Sequence, residues 1–122
     1  MSRLPDAAKI QVYGIPNCDT VKKARAWLDQ RGLAYAFHDY KKEGADPARL
    51  SAWSDEIGWD TLLNRRGTTF RGLADADKAH IDRAKALQLM QAQPSLIKRP
   101  VVEFAGRVLV GFDPAEWERV LG

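Results

Sequence analysis

The first part of the chain places a strand, a helix and a second strand in immediate succession. Residues 10–13 read Ile-Gln-Val-Tyr, a short strand pattern, and apolar residues spaced three and four apart then predict a helix that ends at Gly32. Residues 33–40 alternate larger and smaller apolar groups and predict a second strand. Because a strand, helix and strand within one sheet connect through a right-handed crossover, the two strands are expected to be parallel.

The middle of the chain predicts helices. Asp46 followed by Pro47 is typical of a helix N-terminus, and this helix is expected to run to Gly58. A short helix is expected around residues 60–63, and residues 77–93 carry apolar groups at helical spacing.

The last part of the chain predicts a hairpin and a closing helix. Residues 101–104 and 107–110 have strand composition, and the Ala-Gly pair at 105–106 is typical of a tight turn between antiparallel strands. Asp113 and Pro114 then have the chemistry of a helix start.

This order of elements, β-α-β and then β-β-α with a helical insertion between the two halves, resembles the thioredoxin-like arrangement, an α/β fold with a mixed sheet. We expect a single domain over residues 1–122, with a core of about residues 8–42 and 95–122 and an insertion of about residues 46–93. Thioredoxin-like folds carry a cis-proline beside the reactive cysteine. Arg99-Pro100, at the entry to the third strand, matches that place, so this bond is expected to be cis.

Cys18 is the one cysteine of the chain, and it lies where the first turn meets the first helix. The unpaired N–H groups and positive dipole end of a helix favour a thiolate there, whereas the alternative is a buried structural cysteine. Any disulfide of Cys18 must form with another molecule, so a reducing compartment is the expected setting. Asn17 and Thr20 flank Cys18 and are expected to hydrogen-bond within the turn, to cap the helix or to offer backbone N–H groups to the sulfur.

Four separated motifs resemble the arsenate-reductase-like (ArsC) family, in the branch that holds the YffB proteins and the Spx regulators. The motifs span nearly the whole chain and comprise residues 13–20, 62–68, 93–101 and 110–112. The Leu-Ile-Lys-Arg-Pro sequence within the third motif is the sharpest of them. The Leu-Leu-Asn-Arg-Arg-Gly-Thr run of the second motif is most similar to the YffB group.

The resemblance implies roles for particular side chains. In arsenate reductases the cysteine attacks arsenate while arginines bind the oxyanion and lower the thiol pKa. By resemblance, Cys18 is the nucleophile, Arg99 binds the anion, and either Arg65 or Arg66 is a second binding residue, with Pro100 at the site. Guanidinium groups bind oxyanions or carboxylates with paired hydrogen bonds, although each arginine has the alternative of being a solvated surface charge.

The chain departs from two parts of the family pattern. Arsenate reductases carry a histidine four residues before the cysteine, where this chain has Gly14, and a third arginine after the last strand, where it has Gly111 or Phe112. Spx regulators keep a Cys-x-x-Cys switch, but the second position here is Val21. The departures weaken oxyanion binding and exclude a disulfide switch within the chain.

Together these features favour a glutathione-dependent monothiol reductase that acts through a Cys18 thiolate and a mixed disulfide. Glutathione is then a co-substrate whose two carboxylates Arg99 and either Arg65 or Arg66 could hold, and no bound cofactor is expected. A small anionic or disulfide substrate fits the same chemistry. The first alternative is a Spx-like regulator that binds RNA polymerase or another protein without turnover, and the second is an arsenate reductase. Whether turnover occurs stays open.

Charge and composition set the remaining expectations. The net charge is +3, with Lys and Arg interleaved among acids, which favours an anionic small substrate over direct nucleic-acid binding. No apolar run approaches the roughly 20 residues of a membrane span, and the first residues lack the apolar centre of a signal peptide. His38 and His80 show no ligand spacing, so no metal is expected. We expect a cytoplasmic monomer.

Overall fold

The computed structural model describes residues 10–122. Its strands are β1 (Ile10–Gly14), β2 (Ala36–Asp39), β3 (Val101–Phe104) and β4 (Arg107–Val110). The α-helices of the described residues are α1 (Asp19–Gln30), α2 (Tyr40–Glu43), α3 (Pro47–Ile57), α4 (Trp59–Leu62), α5 (Thr68–Arg71), α6 (Asp75–Lys78), α7 (Arg83–Ala92) and α8 (Pro114–Leu121), and a 3₁₀ turn, Pro94–Leu96, follows α7.

The four strands form one mixed sheet in the order β2-β1-β3-β4. Strands β1 and β2 are parallel, with Tyr13 opposite His38. Strand β3 is antiparallel to β1, with Tyr13 opposite Val101, and β4 is antiparallel to β3. The predicted α/β fold of the thioredoxin-like class, β-α-β followed by β-β-α, is confirmed.

The chain divides into two compact units. The first contains residues up to Glu43 together with Arg99–Gly122, and therefore holds the sheet, α1, α2 and α8. The second, Gly44–Lys98, holds α3 to α7 and the 3₁₀ turn. The expectation of a single domain over the whole chain stays a prediction.

The core of the first unit lies on one face of the sheet, under α1 and α8. Side chains alternate along a strand, so every second residue of each strand points to these helices. The buried cluster consists of Ile10, Val12, Ala24, Trp27, Leu28, Val102, Leu109, Trp117 and Leu121. Trp117 meets Phe112 and Trp27 edge to face, with ring centroids 4.9 and 5.7 Å apart. Such aromatic pairs add to the stabilisation that area burial provides.

The second unit packs α3, α4 and α7 against one another. Their buried apolar side chains are Leu50, Trp53, Leu62, Ala86 and Met90. The segment after α4 is fixed to the segment around the 3₁₀ turn by a Leu63–Ile97 bridge and by a hydrogen bond from Asn64 N to Leu96 O of 2.7 Å. These backbone contacts hold the segment that carries the adjacent arginines.

Several local predictions are confirmed. Asp46 Oδ1 accepts a hydrogen bond from Ala48 N at 3.0 Å, so Asp46 caps α3. Asp113 caps α8 in the same way through Ala115 N. The hairpin turn consists of Ala105 and Gly106, both with positive φ (50° and 75°), as a tight turn between twisted strands requires.

The second strand begins later than predicted. Residues 33–35 precede β2 because Leu33 N donates to Leu28 O (3.0 Å) and Gly32 N donates to Asp29 O (3.1 Å). With Gly32 at φ 67°, these bonds form the Schellman end of α1, which takes Leu33 out of the sheet. At the other end, Tyr40 begins α2 instead of ending the strand.

The helix predicted over residues 77–93 is also shorter than expected. Helix α7 begins at Arg83, because Asp82 Oδ1 accepts a hydrogen bond from Lys85 N at 2.9 Å and acts as the N-cap. Helix α6 is a separate turn, and His80, at φ 52°, lies between the two helices rather than on a helix face.

Replacement of the cap tests this boundary. We expect Asp82→Ala to lower the free energy of unfolding by about 1 kcal/mol, because the first turn of α7 loses its side-chain acceptor. Chemical denaturation measures the change, and Asp77→Ala, an exposed substitution within α6, is the matched control. An Asp82→Ala variant as stable as the parent would indicate a continuous helix, in which alanine is the better helix former.

Candidate active site

Cys18 occupies the N-cap position of α1, with extended backbone at φ −138° and ψ 126°. Strand β1 ends at Gly14, and residues 15–17 form the turn that leads to Cys18. The Cys18 carbonyl accepts the first helical hydrogen bond, from Lys22 N at 2.9 Å. The half-buried thiol therefore lies at the positive end of the helix, as predicted from the sequence.

Arg99 reaches the Cys18 thiol from the neighbouring strand, just before β3 begins. Because β1 and β3 are antiparallel, with Tyr13 opposite Val101, the residues that follow β1 and those that precede β3 lie at the same end of these two strands. The Arg99 side chain hydrogen-bonds the Cys18 thiol and adds its positive charge. The Arg99–Pro100 peptide bond is cis, which confirms that prediction.

Pro100 is buried next to this arginine. Its carbonyl accepts a hydrogen bond from Gly111 N at 2.9 Å, which joins the residue before β3 to the residue after β4. The backbone that carries Arg99 is thus held from both sides: by the sheet and by this bond.

The pKa of the Cys18 thiol is lowered from its ordinary value of 9.0. Burial by itself would raise it. The backbone N–H of Val21, the hydrogen bond and charge of Arg99 and the N–H of Thr20 all favour the thiolate and together outweigh burial. Cys18 Sγ accepts no capping hydrogen bond from the helix. The N–H groups of Thr20 and Val21 therefore act as nearby dipoles that stabilise the negative charge.

The backbone N–H of Val21 also lowers the pKa of Cys18, a role that the sequence pattern did not indicate. Val21 is the third residue of α1, and an N-cap side chain faces the N–H groups of the second and third helical residues. Counting from Cys18 as the N-cap would have found it. The predicted contribution of the Thr20 backbone is supported by its effect on the thiol pKa. Asn17 is exposed, and its side chain makes no hydrogen bond to any other residue of the described chain.

Arg65 and Arg66 lie in the second unit, in the segment after α4. Arg65 Nη2 is 2.6 Å from Asp60 Oδ1, and Arg65 Cζ lies 5.7 Å from the centroid of the Trp59 ring. The guanidinium of Arg65 is therefore paired with Asp60 and lies near the Trp59 ring. Arg66 is exposed, and its guanidinium pairs with no carboxylate within residues 10–122. Of the two adjacent arginines, Arg66 is the one without a carboxylate partner in the described part of the chain.

Residues 13–120 match the ArsC family. The chain belongs to that family. Among solved structures, a YffB protein shares 57% identity with a TM-score of 0.90 and covers 93% of this chain and 99% of its own. An ArsC-related protein from Brucella melitensis shares 50% identity with a TM-score of 0.75 and covers 93% and 94%.

Curated relatives extend the comparison. An uncharacterized protein of Haemophilus influenzae is 42% identical over 109 residues, which is 89% of this chain and 96% of that one. The global transcriptional regulator Spx of Listeria innocua is 28% identical over 114 residues, or 92% and 86% of the two chains. These matches confirm the resemblance to the ArsC family and to its YffB and Spx members.

The structure explains why the chain lacks charged side chains where it departs from the arsenate reductases. A Cβ atom on Gly14 would lie 3.0 Å from Val21 Cγ2, so a larger side chain there requires the buried valine to move. Gly111 has φ 76°, a conformation that disfavours an arginine. Phe112 packs in the aromatic cluster of the core. Positions 14, 111 and 112 therefore carry no charged side chain.

No group of three or more His, Cys, Asp or Glu side chains gathers into a metal site within residues 10–122. None of the helices formed by these residues is long and apolar enough to cross a lipid bilayer.

Removal of the arginine tests the electrostatics of the site. We expect Arg99→Ala to raise the pKa of Cys18, because the variant loses both a hydrogen bond to the thiolate and an adjacent positive charge. Ultraviolet absorbance of the thiolate against pH measures the midpoint. Arg107→Ala removes an exposed arginine of β4 and is the matched control, for which we expect no change. Equal midpoints for Arg99→Ala and the control would show that Arg99 does not stabilise the thiolate.

Proposed function

We propose that this protein is a glutathione-dependent monothiol reductase with Cys18 as its nucleophile. The observation that carries the proposal is the lowered pKa of Cys18, which arises at a helix N-terminus beside Arg99 although burial opposes it. The thiolate is the form that attacks disulfides and other electrophiles, so a lowered pKa increases the reactive fraction near neutral pH. Membership of a family whose members include YffB proteins and Spx regulators supports thiol-based chemistry or regulation.

The single cysteine determines the order of steps. The Cys18 thiolate attacks one sulfur of a disulfide substrate, the substrate S–S bond breaks, and the other half leaves as a thiolate that takes a proton from water. Cys18 is now in a mixed disulfide with the first half. Because the chain has no second cysteine, a glutathione thiolate attacks this mixed disulfide, forms a new disulfide with the bound half and releases the Cys18 thiolate. A second glutathione thiolate then attacks this new disulfide, releases the bound half as a thiol and forms oxidised glutathione, so two glutathione thiols supply the two electrons that reduce the original disulfide.

Arginine side chains supply the recognition of glutathione in this proposal. Glutathione has two carboxylates, and guanidinium groups bind carboxylates through paired, charge-assisted hydrogen bonds. Arg99 acts at the sulfur, where it stabilises both the attacking and the leaving thiolate. Arg66 is the better candidate for a carboxylate contact than Arg65, because Asp60 and Trp59 already engage Arg65. Asn17, Thr20 and Pro100 complete the proposed surroundings of the thiol.

A second candidate function is regulation through protein binding without turnover. Similarity to the Spx regulators over nearly the whole chain favours it, and the partner would then be RNA polymerase or another large protein. Arsenate reduction is a third and weaker candidate. Gly14 and Gly111 occupy positions where arsenate reductases carry a histidine and an arginine, and each has a backbone or packing constraint against a large side chain. The proposed setting of the reductase is the cytoplasm, where reduced glutathione is abundant, and the proposed active form is a monomer.

Reaction with oxidised glutathione tests the reductase. We expect intact mass spectrometry to show a single glutathione adduct on Cys18 that reduced glutathione removes, and we expect Cys18→Ser to give none. Arg66→Ala should slow adduct formation about tenfold, the effect of one lost charge-assisted contact. Arg65→Ala is the matched control and should have a smaller effect, since the Arg65 guanidinium is engaged by Asp60.

Two results would contradict the proposal. An adduct that forms no faster than on an unfolded peptide containing Cys18 would show that the fold does not activate the thiol. Equal rates for the parent and the Arg66→Ala variant would show that Arg66 does not bind a glutathione carboxylate. If steady-state assays then showed no disulfide turnover with glutathione, the protein-binding function would replace the reductase.

A further inference from the structure

A groove of about 430 Å³ lies in the first unit, between α1 and the edge of the sheet at β2. It is lined by Arg25, Asp29, Leu33, Ala34, Tyr35 and Phe37. None of these residues belongs to the thiol site. The groove is therefore separate from the Cys18 site.

Two aromatic side chains of the groove contact Arg25. Its Nε–H donates a hydrogen bond to the Tyr35 hydroxyl at 3.0 Å, and its Cζ lies 4.1 Å from the centroid of the Phe37 ring. A cation over an aromatic face is attracted by the ring, and a half-buried guanidinium held in this way has few rotamers to lose on binding. The terminal NH₂ groups of Arg25 have no hydrogen-bond partner within the described residues, so they are available to a carboxylate.

The floor of the groove is next to an open strand edge. Strand β2 is at one end of the sheet order and, within residues 10–122, it pairs only with β1. Its outer N–H and C=O groups can therefore pair with an added strand. Tyr35 and Phe37 pack against the core on the helix-covered face. Every second side chain of an added strand would point to that same face, beneath α1.

The two charged residues of the groove match the repeat of such a strand. Arg25 and Asp29 are four residues apart on α1, or about 6 Å along the helix axis. Side chains on one face of a strand are two residues apart, or about 6.6–6.8 Å. An acidic side chain opposite Arg25 and a basic one opposite Asp29 would then pair simultaneously. The spacing matches a segment whose acidic and basic side chains are separated by one residue. The order of the two charges along the segment then determines its direction relative to β2.

We propose that this groove binds an extended segment of a partner protein, which adds to β2 as a fifth strand and carries one acidic and one basic side chain two residues apart. Backbone pairing supplies the general affinity, and the pairs with Arg25 and Asp29 supply the sequence preference. Leu33 and Ala34 add apolar lining to the groove.

Titration of the full-length, isotope-labelled protein with short capped peptides tests this surface by NMR. The probes are the pentapeptides Thr-Glu-Val-Lys-Thr, Thr-Glu-Val-Glu-Thr and Thr-Lys-Val-Lys-Thr. We expect saturable shifts of the β2 amides and of the Arg25 Nε–H. We also expect about tenfold tighter binding of the mixed-charge peptide, because each other peptide loses one charge-assisted contact.

Charge-reversal variants test the roles of Arg25 and Asp29 separately. Arg25→Glu leaves two acids in the groove and should transfer the preference to the dilysine peptide, whereas Asp29→Lys leaves two bases and should transfer it to the diglutamate peptide. Asp29 is exposed, so that variant keeps the test usable even if Arg25→Glu does not fold. Lys23→Glu, an exposed change on the same helix outside the groove, is the matched control and should retain the mixed-charge preference.

Several outcomes would overturn the proposal. Equal affinity for the three peptides, no saturation at millimolar peptide, or shifts confined to the residues around Cys18 would each exclude a segment-binding groove at β2. Concentration-dependent shifts of the β2 amides without peptide would assign the edge to a second copy of this chain instead.

Discussion

The candidate site depends on one piece of electrostatics: a thiol held between a helix N-terminus and a guanidinium. The antiparallel pairing of β1 and β3 makes this arrangement possible, because it brings the residue four positions after β1 to the residue two positions before β3. Burial of Cys18 opposes the charge, and the N–H groups of the helix together with Arg99 outweigh it. The proposed thiol chemistry depends on this balance.

The rest of the site restricts what this thiolate can react with. Gly14 lies close to Val21 and Gly111 has a left-handed backbone conformation, so both positions disfavour the charged side chains that would strengthen oxyanion binding. The absence of a second cysteine leaves the release of a mixed disulfide to an external thiol. These constraints support the proposal of a disulfide or glutathione substrate rather than arsenate.

The parts of the fold that depend on local chemistry could be predicted from the sequence. Cys18 at a strand-to-helix turn, the Asp46 cap and the 105–106 hairpin turn each follow from side chains within a few residues. The start of α7 was missed because the cap by Asp82 lies inside a stretch with continuous helical spacing, and spacing alone does not reveal an interruption. The sequence could not show which of the two adjacent arginines is paired, because the pairing of Arg65 depends on its contacts with Asp60 and Trp59.

The pH dependence of Cys18 alkylation tests whether the helix and Arg99 lower the pKa of the thiol. The rate of reaction with iodoacetamide follows the thiolate fraction, so it rises with pH and reaches a plateau above the thiol pKa. We expect the native protein to reach its half-maximal rate at a pH below 9.0, the ordinary cysteine value, and below that of the same chain unfolded in guanidinium chloride. A native midpoint equal to or above the unfolded one would show that the helix and Arg99 do not overcome burial, and that Cys18 is a structural cysteine.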